Sequence, residues 1–198
     1  MTLRVGVCVS GRGTNLQAIL DACRDGRLDA RVVYVASSRK SAPALERAKA
    51  AGVPAEAFPP AANGGRDAAQ LLMASRLAAA EVELVVLAGY DRILCREFFA
   101  RLGRTPVINI HPALLPAFAG LNGAKVHEAV LAAGVRETGC TVHRAHPGQV
   151  DAGEILVQRR VPVLPGDDAE TLAARVLEQE HVALVDAVGS FVRVPADA

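Results

Sequence analysis

The sequence predicts an α/β protein of the Rossmann-like class, with an open, mostly parallel sheet and helices on both faces. Short apolar runs of strand length alternate with longer segments of helical period, which is the pattern of repeated βαβ units. The first apolar run leads through a glycine loop directly into a helical pattern. The length of 198 residues is typical of one domain. We therefore expect a single domain over residues 1–198, with a disordered tail at 193–198, because terminal segments often lack a fixed structure.

The first half of the chain contains four of the predicted strands. Residues 3–9 form a valine-rich apolar run, and the helix after it has its apolar face at Leu16, Ile19, Leu20 and Cys23. Gly52 can end a later helix at its C-terminal side. The remaining predicted elements are a strand at 31–36, a helix at 42–51, a short strand at 53–58, a surface loop at 59–65, a helix at 66–80 and a buried strand at 82–88.

The second half continues the alternation with three further strands. Residues 107–110 form an apolar strand that ends at His111 and Pro112. The remaining predicted elements are a helix at about 125–133, strands near 140–145 and 154–163, and a helix at about 168–192. Ligands of open parallel sheets bind beyond the carboxyl ends of the strands. The loops at 10–15, 89–94 and 109–116 fall at that edge, which predicts the binding site.

The composition argues against several classes of function. Lys and Arg number 22 against 21 Asp and Glu, so the net charge of +1 is not that of a polyanion-binding protein. Only 4% of residues are aromatic and Trp is absent, which argues against a stacking platform for single strands. The first apolar run is too short for a membrane span and lacks a signal-peptide pattern. We expect no nucleic-acid partner, no membrane association and a cytoplasmic location.

Cysteines and histidines show no metal-ligand spacing. No C-x-x-C pair occurs among the cysteines, which are Cys8, Cys23, Cys95 and Cys140. This scatter fits a reducing compartment and neither a zinc site nor a disulfide framework. The histidines that we interpret as core or surface residues are His127, His143, His146 and His181. We therefore expect no metal.

The glycine loop at 10–15 allows three interpretations. Gly11 and Gly13 let the backbone approach a ligand, and the helix start beyond them offers free N–H groups to an anion such as phosphate. The loop is equally consistent with a tight structural turn. Leu16 stands in place of the third glycine of the dinucleotide fingerprint. Ser37 and Arg39, after the second strand, could nevertheless accommodate the extra phosphate of NADP.

Asn109 and His111 are candidates for oxyanion stabilisation. They lie two residues apart at a strand end, so their side chains point to the same side. Both can donate hydrogen bonds to a carbonyl oxygen that becomes negative, and a protonated imidazole adds charge there. Asp151 near His111 would favour the imidazolium and could accept a proton directly or through a water. Alternatively, Asn109 closes a turn, His111 merely precedes Pro112, and Asp151 belongs to an ordinary turn.

Several segments, taken in order, resemble the phosphoribosylglycinamide formyltransferase family, folate-dependent enzymes of purine biosynthesis. The segments are residues 10–16, 87–94, 108–116, 139–143 and 151–153. The resemblance covers the chain from the first strand to about His181. N-I-H-P-x-L-L-P is shared with the wider family of enzymes that use 10-formyltetrahydrofolate, whereas the S-G-x-G-[ST]-N loop is similar to that of members that bind a ribose phosphate.

The resemblance implies the formyltransferase fold and transfer of the formyl group of 10-formyltetrahydrofolate to the amine of glycinamide ribonucleotide. No metal and no covalent enzyme intermediate take part. The residues implied to hold the substrate phosphate are Gly13, Thr14 and Asn15. Asn109 and His111 would stabilise the oxyanion, with Asp151 sustaining the charged imidazole and helping to move the amine's proton. Glu180 would lie near the substrate amine or ribose, although by itself it is a charge on a solvated helix face.

The resemblance also implies folate contacts. Arg66 would meet the glutamate tail, and Asn109 would contact the cofactor as well as the substrate. The backbone implied to meet the pterin edge belongs to Asp91, Arg92, Ile93 and Leu94. The chain has one residue more than usual between His143 and Asp151, in a loop at 144–150 that should cap the pterin. It also has Asp91 where an aromatic residue or methionine is common, and Ala119 where proline is common.

Related and unrelated functions remain as alternatives. A methionyl-tRNA formyltransferase needs a further, usually basic, domain for which this chain has neither the length nor the charge. A formyltetrahydrofolate deformylase normally carries a regulatory domain ahead of the core, and we expect none because the first strand begins at residue 3. An NADP-binding oxidoreductase and a non-catalytic ribonucleotide-binding module are alternatives of different classes. We expect a monomer or a homodimer.

Overall fold

The strands form at the predicted apolar runs and join in one sheet. The computed structural model describes residues 2–192. The strands are β1 (Leu3–Val9), β2 (Ala30–Ser37), β3 (Ala55–Ala57), β4 (Leu84–Leu87), β5 (Val107–His111), β6 (Glu137–Arg144) and β7 (Ile155–Pro162). Their order is β3-β2-β1-β4-β5-β6-β7, with β1 to β5 parallel and β6 and β7 added antiparallel. This confirms the predicted open, mostly parallel sheet.

Helices cover both faces of the sheet, as predicted. Within residues 2–192 they are α1 (Thr14–Arg24), α2 (Ala44–Ala50), α3 (Arg66–Ala79), α4 (Arg96–Leu102), α5 (Ala124–Ala132) and α6 (Ala169–Gly189). One buried apolar core includes residues of α1, α2, α5 and α6, and the other includes residues of α3 and α4. Successive residues of β4 belong to opposite cores, because side chains alternate across a strand. The continuous apolar run of β4 is therefore buried on both faces.

Local signals explain where the first and last helices begin. Leu16 and Ile19 of α1 are completely buried, as their spacing predicts. The predicted start of the last helix near Asp168 is confirmed by a capping box. The Asp168 carboxylate accepts the N–H of Thr171 at 2.8 Å, and the Thr171 hydroxyl accepts the N–H of Asp168 at 2.9 Å. These bonds satisfy backbone donors that the first turn leaves without partners.

Three element predictions need correction. Helix α4 was not predicted, because a seven-residue helix gives too few apolar positions for its period to stand out. Strand β3 covers three residues and not 53–58, because the prolines at 54, 59 and 60 cannot donate to a ladder. Helix α6 ends at Gly189 and not at 192, since the next N–H groups bond three residues back, to Val188 and Gly189. The loop predicted at 59–65 contains a short 3-10 turn, Pro60–Ala62.

The order of the strands determines where a ligand can bind. Chain progression reverses between β1 and β4, which lie side by side although two strands separate them in sequence. At such a switch point the loops after neighbouring strands diverge and leave a crevice beyond their carboxyl ends. The loops after β1, β4 and β5 are the three that the sequence analysis singled out.

No helix in residues 2–192 combines the length and the apolar character needed to cross a bilayer. The single domain over residues 1–198 stays a prediction. The tail predicted at 193–198 lies outside the described residues.

Candidate active site

A cavity of about 380 Å³ opens at the carboxyl ends of the central strands. It is lined from three sides by the loop after β4 (residues 89–94), by the end of β5 with residues 120–123, and by residues 145–151. Asn15 of α1 and Glu180 of α6 line it as well. Of the three loops singled out in the sequence, those at 89–94 and 109–116 line the cavity, and the loop at 10–15 contributes only Asn15. The 145–151 loop and α6 line it in addition.

Asn109, His111 and Asp151 come together at this cavity. The Nδ1 atom of His111 lies 3.3 Å from Oδ2 of Asp151, and the amide of Asn109 donates to Oδ1 of the same carboxylate at 3.4 Å. Asn109 and His111 reach one carboxylate because side chains two apart on β5 point to the same side. His111 is 3% exposed, so its contact with Asp151 is shielded from bulk water.

Asp151 is held in an unusual backbone conformation. Its φ is 50°, in the left-handed region that residues other than glycine rarely adopt. Two residues on, a Cβ atom at Gly153 would lie 1.8 Å from the carbonyl oxygen of Arg144, so only glycine fits there. The backbone N–H of Gly120 donates to Asp151 Oδ2 at 3.0 Å. Burial alone would raise the pKa of Asp151, but the adjacent His143, the hydrogen bond from the Gly120 N–H and the nearby His111 bring it below the ordinary value.

The ring of His111 faces two acceptors. Besides Asp151 at Nδ1, the carbonyl oxygen of Phe118 lies 3.2 Å from Nε2. Only the imidazolium can donate to both, yet burial lowers the pKa of His111 by more than Asp151 and Phe118 raise it. Burial is the largest of these influences, and it places the pKa of His111 below the ordinary value for histidine. The protonated imidazole at the developing oxyanion stays a prediction. Negative charge that develops beside the ring would favour its protonation.

His143 belongs to the same cluster and was missed as a functional residue. It pairs with Asn109 across β5 and β6, and its Nε2 lies 3.2 Å from the Asn109 amide nitrogen and 3.5 Å from Asp151. Its Nδ1 lies 2.9 Å from the Arg144 carbonyl oxygen, which can only accept, so Nδ1 carries the hydrogen. Nε2 of the neutral ring is then free to accept from Asn109. The signal available in the sequence was its place in the G-C-T-V-H segment.

Asn15 and Glu180, which also line the cavity, are in contact. The Asn15 amide donates to Glu180 Oε2 at 2.7 Å. Glu180 is 8% exposed, so its interpretation as a charge on a solvated helix face is wrong. The reason is that α6 packs against the sheet and against α1. Burial raises the pKa of Glu180, and the bond from Asn15 offsets part of that shift. The Asn15 Oδ1 atom is buried without a partner in the described chain.

The glycine loop is fixed by α2. Gly13 has φ 75° and is the residue before α1, where a Cβ atom would lie 2.5 Å from that of Ala44. The carbonyl oxygens of Gly11 and Arg12 accept from the Ala44 N–H at 3.2 Å and the Arg47 guanidinium at 2.8 Å. No side chain caps α1, so its first N–H groups remain available. Of the three residues predicted to hold phosphate, Asn15 lines the cavity and Gly13 and Thr14 do not.

The loop after β4 lines the cavity with all four predicted residues, which are Asp91, Arg92, Ile93 and Leu94. The Asp91 carboxylate is turned toward the ends of β1 and β2, where it accepts from Ser38 at 3.1 Å and pairs with Arg39. Arg39 is therefore engaged within the chain, and the Ser37 hydroxyl donates to the Arg39 carbonyl oxygen at 2.8 Å. No observation on these two residues favours the NADP interpretation.

The other predicted positions lie at the margins of the site. Arg66 begins α3, pairs with the neighbouring Asp67 and does not line the cavity. The loop at 144–150 contributes its residues from Ala145 onward, among them the exposed His146. His127 is buried in α5 and His181 half-buried in α6, in agreement with their interpretation as core or surface residues. Ala119 is exposed.

Comparison with known proteins finds relatives in sequence and in fold. The model of the family described as Formyl transferase matches residues 3–188. The phosphoribosylglycinamide formyltransferase of Haemophilus influenzae is 39% identical over 178 residues, which are 90% of this chain and 82% of that protein. The crystal structure of glycinamide ribonucleotide transformylase 1 from Symbiobacterium toebii has a TM-score of 0.90 and 46% identity, over 96% of this chain and 87% of that one.

Some relatives are much longer than this chain. The trifunctional purine biosynthetic protein adenosine-3 of Drosophila pseudoobscura pseudoobscura is 44% identical over 180 residues, yet the match spans only 13% of its length. The resemblance that the sequence motifs indicated is confirmed, and so is the prediction of the formyltransferase fold. The chain belongs to the formyl transferase family.

Proposed function

We propose that this chain is a phosphoribosylglycinamide formyltransferase of de novo purine biosynthesis. It transfers the formyl group of 10-formyltetrahydrofolate to the amine of glycinamide ribonucleotide, which yields formylglycinamide ribonucleotide and tetrahydrofolate. One observation carries the proposal: Asn109, His111 and Asp151 contact one another at the wall of the cavity, within a chain 39% identical to a bacterial enzyme of that name.

The ribonucleotide occupies the end of the cavity formed by α1 and α6. Its phosphate accepts from the N–H groups of Gly13, Thr14 and Asn15, because the uncapped start of α1 carries a partial positive charge. Glu180 binds the ribose hydroxyls or the amine, and its bond from Asn15 keeps the carboxyl group oriented toward the cavity. The buried Oδ1 atom of Asn15, which lacks a partner in the described residues, is a further acceptor for the substrate.

The formyl folate occupies the end formed by residues 89–94 and 145–151. A flat heterocycle fits there because apolar side chains, including Leu87, Leu94 and Val150, line the walls, while backbone groups of residues 91–94 lie at the edge. Bound there, the folate supplies an activated formyl group. Arg66, at the surface and partnered only by the exposed Asp67, meets the glutamate tail outside the cavity. Asn109 lies between the two ends and contacts both substrates.

The reaction is a direct transfer in which this chain positions the reactants and stabilises charge. A bond forms between the substrate amine and the formyl carbon, the bond from that carbon to the folate nitrogen breaks, and one proton passes from the amine to that nitrogen. Asn109 and His111 donate to the formyl oxygen as it becomes negative. Asp151 keeps its carboxylate ionised, supports protonation of His111 and relays the amine's proton. No metal takes part in this proposal.

The same proposal extends to the partners, the oligomeric state and the location of the protein. The partners are the two small-molecule substrates, with neither nucleic acid nor membrane, and the protein acts as a monomer or homodimer. We propose a cytoplasmic location, in which the four free cysteines stay reduced.

The test is a transfer assay with the purified protein, 10-formyltetrahydrofolate and glycinamide ribonucleotide. Absorbance follows deformylation of the folate, and a second mixture omits the ribonucleotide. We expect loss of the formyl group only when the ribonucleotide is present. Equal loss in both mixtures would identify a deformylase, and loss in neither would leave a ligand-binding module.

A further inference from the structure

The loop of residues 91–94 is attached to the protein at its first residue by a closed set of hydrogen bonds. The N–H of Asp91 donates to Ser10 Oγ at 3.0 Å, and Ser38 Oγ donates to Asp91 Oδ1 at 3.1 Å. The two hydroxyls lie 2.7 Å apart. Since the carboxylate takes the Ser38 hydrogen, the Ser10 hydroxyl must donate to Ser38. Ser10 and Ser38 are 6% and 3% exposed, so this attachment is shielded from water.

The other end of the loop is attached through one side chain, Gln70 of α3. Its Nε2 donates to the carbonyl oxygen of Ile93 at 3.0 Å, and its Oε1 accepts the N–H of Cys95 at 2.7 Å. Gln70 is 2% exposed and does not line the cavity. A buried amide is costly unless its polar atoms are paired, and here each pairs with the backbone of this loop.

The two attachments leave a regular pattern along the segment. The backbone groups held by the protein belong to residues 91, 93 and 95, every second residue. The N–H and C=O groups of Arg92 and Leu94 find no acceptor or donor within residues 2–192. Arg92 lies between the attached residues Asp91 and Ile93, and Leu94 lies between Ile93 and Cys95, so the attachments restrict the backbone of both. Both residues line the cavity.

We propose that Gln70 is a positioning residue for the folate. By holding Ile93 and Cys95, it fixes the direction in which the free backbone groups of Arg92 and Leu94 face the heterocycle. Gln70 touches neither substrate and acts only through the loop. The inference rests on the proposed function, because the ligand of this loop is the formyl folate. Loss of Gln70 should affect the folate and not the ribonucleotide, since α1 and α6 form the end of the cavity proposed for the ribonucleotide.

Two substitutions separate positioning from packing. Gln70→Leu keeps the approximate volume and removes both hydrogen bonds. Gln70→Glu keeps the acceptor for Cys95, but an ionised carboxylate repels the Ile93 carbonyl oxygen and a protonated one donates to it. Burial raises the pKa of such a carboxyl group, so lowering the pH favours the protonated form that can donate to Ile93. Asp168→Ala, which removes the N-cap of α6, controls for a loss of stability alone.

The measurements are the KM for each substrate between about pH 6 and pH 8, and tetrahydrofolate binding by calorimetry. For Gln70→Leu we expect the KM for the formyl folate to rise roughly tenfold, since about two hydrogen bonds that orient the loop are lost. The KM for glycinamide ribonucleotide stays within about twofold of wild type. For Gln70→Glu, the ratio of its folate KM to the wild-type value falls as the pH is lowered. Asp168→Ala leaves both KM values unchanged.

Three outcomes would overturn the inference. Unchanged folate KM in both variants would show that the loop is held without Gln70. A raised KM in Gln70→Leu with a pH-independent ratio in Gln70→Glu would assign Gln70 a packing role. If Gln70→Leu does not fold, a pH-independent ratio in Gln70→Glu is decisive by itself. Wild-type protein that neither binds tetrahydrofolate nor transfers the formyl group would instead refute the proposed function, and with it this inference.

Discussion

The side-chain amide of Asn15 donates a 2.7 Å hydrogen bond to Glu180, and 165 positions separate the two residues in the chain. The bond joins the first helix to the last at the wall of the cavity, where Glu180 is buried. Burial favours the protonated form of this carboxyl group, because the carboxylate would lose its hydration and a single amide donor replaces only part of it.

Glu180→Gln is expected to change the pH dependence of stability. Burial raises the pKa of Glu180 in the folded state, so its favourable contribution is complete below the ordinary pKa of glutamate and disappears as the pH rises through the raised value. In acid, the free energy of unfolding of the variant is therefore close to that of wild type. Toward alkaline pH the wild type loses stability that the variant keeps, so the difference shifts in favour of the variant. Urea denaturation across that range measures the difference. Glu178→Gln, at an exposed position of the same helix, should show no such trend.

Substitution of the residues at the end of β5 is expected to abolish most of the turnover. His111→Ala and Asn109→Ala each remove one donor to the developing oxyanion, which commonly costs about 10²- to 10³-fold in kcat. Both variants should fold, as circular dichroism and thermal denaturation would show. Steady-state transfer assays measure the loss, and normal turnover by both variants would refute the catalytic assignment.

His143→Phe tests whether that ring orients Asn109. The substitution removes the acceptor that lies 3.2 Å from the Asn109 amide and keeps an aromatic side chain on β6. We expect kcat to fall roughly 10- to 100-fold with little change in either KM, because a misplaced donor costs transition-state stabilisation more than binding. His181→Phe is a control, since His181 does not line the cavity. Equal kcat values for the two variants would mean that Asn109 is oriented without His143.

The ion pair between Arg39 and Asp91 is expected to matter more for folate affinity than for stability. The Arg39 side chain is 54% exposed, so the pair contributes less than about 1 kcal/mol to the free energy of unfolding. Partial burial alone would raise the pKa of Asp91, but the adjacent Ser10, the ion pair with Arg39 and the hydrogen bond from Ser38 keep it below the ordinary value. Arg39→Met should raise the folate KM a few-fold in wild type and much less in Asp91→Asn, as a double-mutant cycle in KM would measure. An equal increase in both backgrounds would mean that the pair is irrelevant to folate binding.

Gly153→Ala is expected to damage the site through the backbone. A Cβ atom there would lie 1.8 Å from the Arg144 carbonyl oxygen, so the chain that carries Asp151 must move. We expect a loss of roughly 1 to 3 kcal/mol in the free energy of unfolding, together with a large loss of activity. Gly189→Ala, whose Cβ atom would meet only Leu28 at 3.5 Å, should change stability by less than about 0.5 kcal/mol. Similar denaturation curves for the two variants would contradict this account.

The fold could be predicted from local patterns where each pattern has one physical cause. Strand β4 is buried on both faces, so its four residues must all be apolar, and such a run is visible in the sequence. Asn109 and His111 share a side of β5 because alternation along a strand is a local property. Helix α4 escaped prediction because two turns are too short for a period to be distinguished.

The residues that sequence reasoning missed owe their roles to distant partners. His143 meets Asn109 through the antiparallel pairing of β5 and β6, and its own segment carries no sign of that register. Gln70 looks like any polar residue of an amphipathic helix until the loop after β4 is placed against it. Its burial depends on how α3 packs on the sheet and next to α4.

The sequence by itself determined most of the secondary structure, the class of fold and the edge of the sheet where the cavity opens. These follow from hydrophobic period, glycine placement and strand direction, which act over a few residues. Only the tertiary structure decided that Glu180 is a buried carboxyl group, that burial lowers the pKa of His111 and that Gln70 bonds the loop after β4. Ionisation and hydrogen bonding depend on the dielectric and the partners around a group, and the fold brings those partners from segments far apart in the chain.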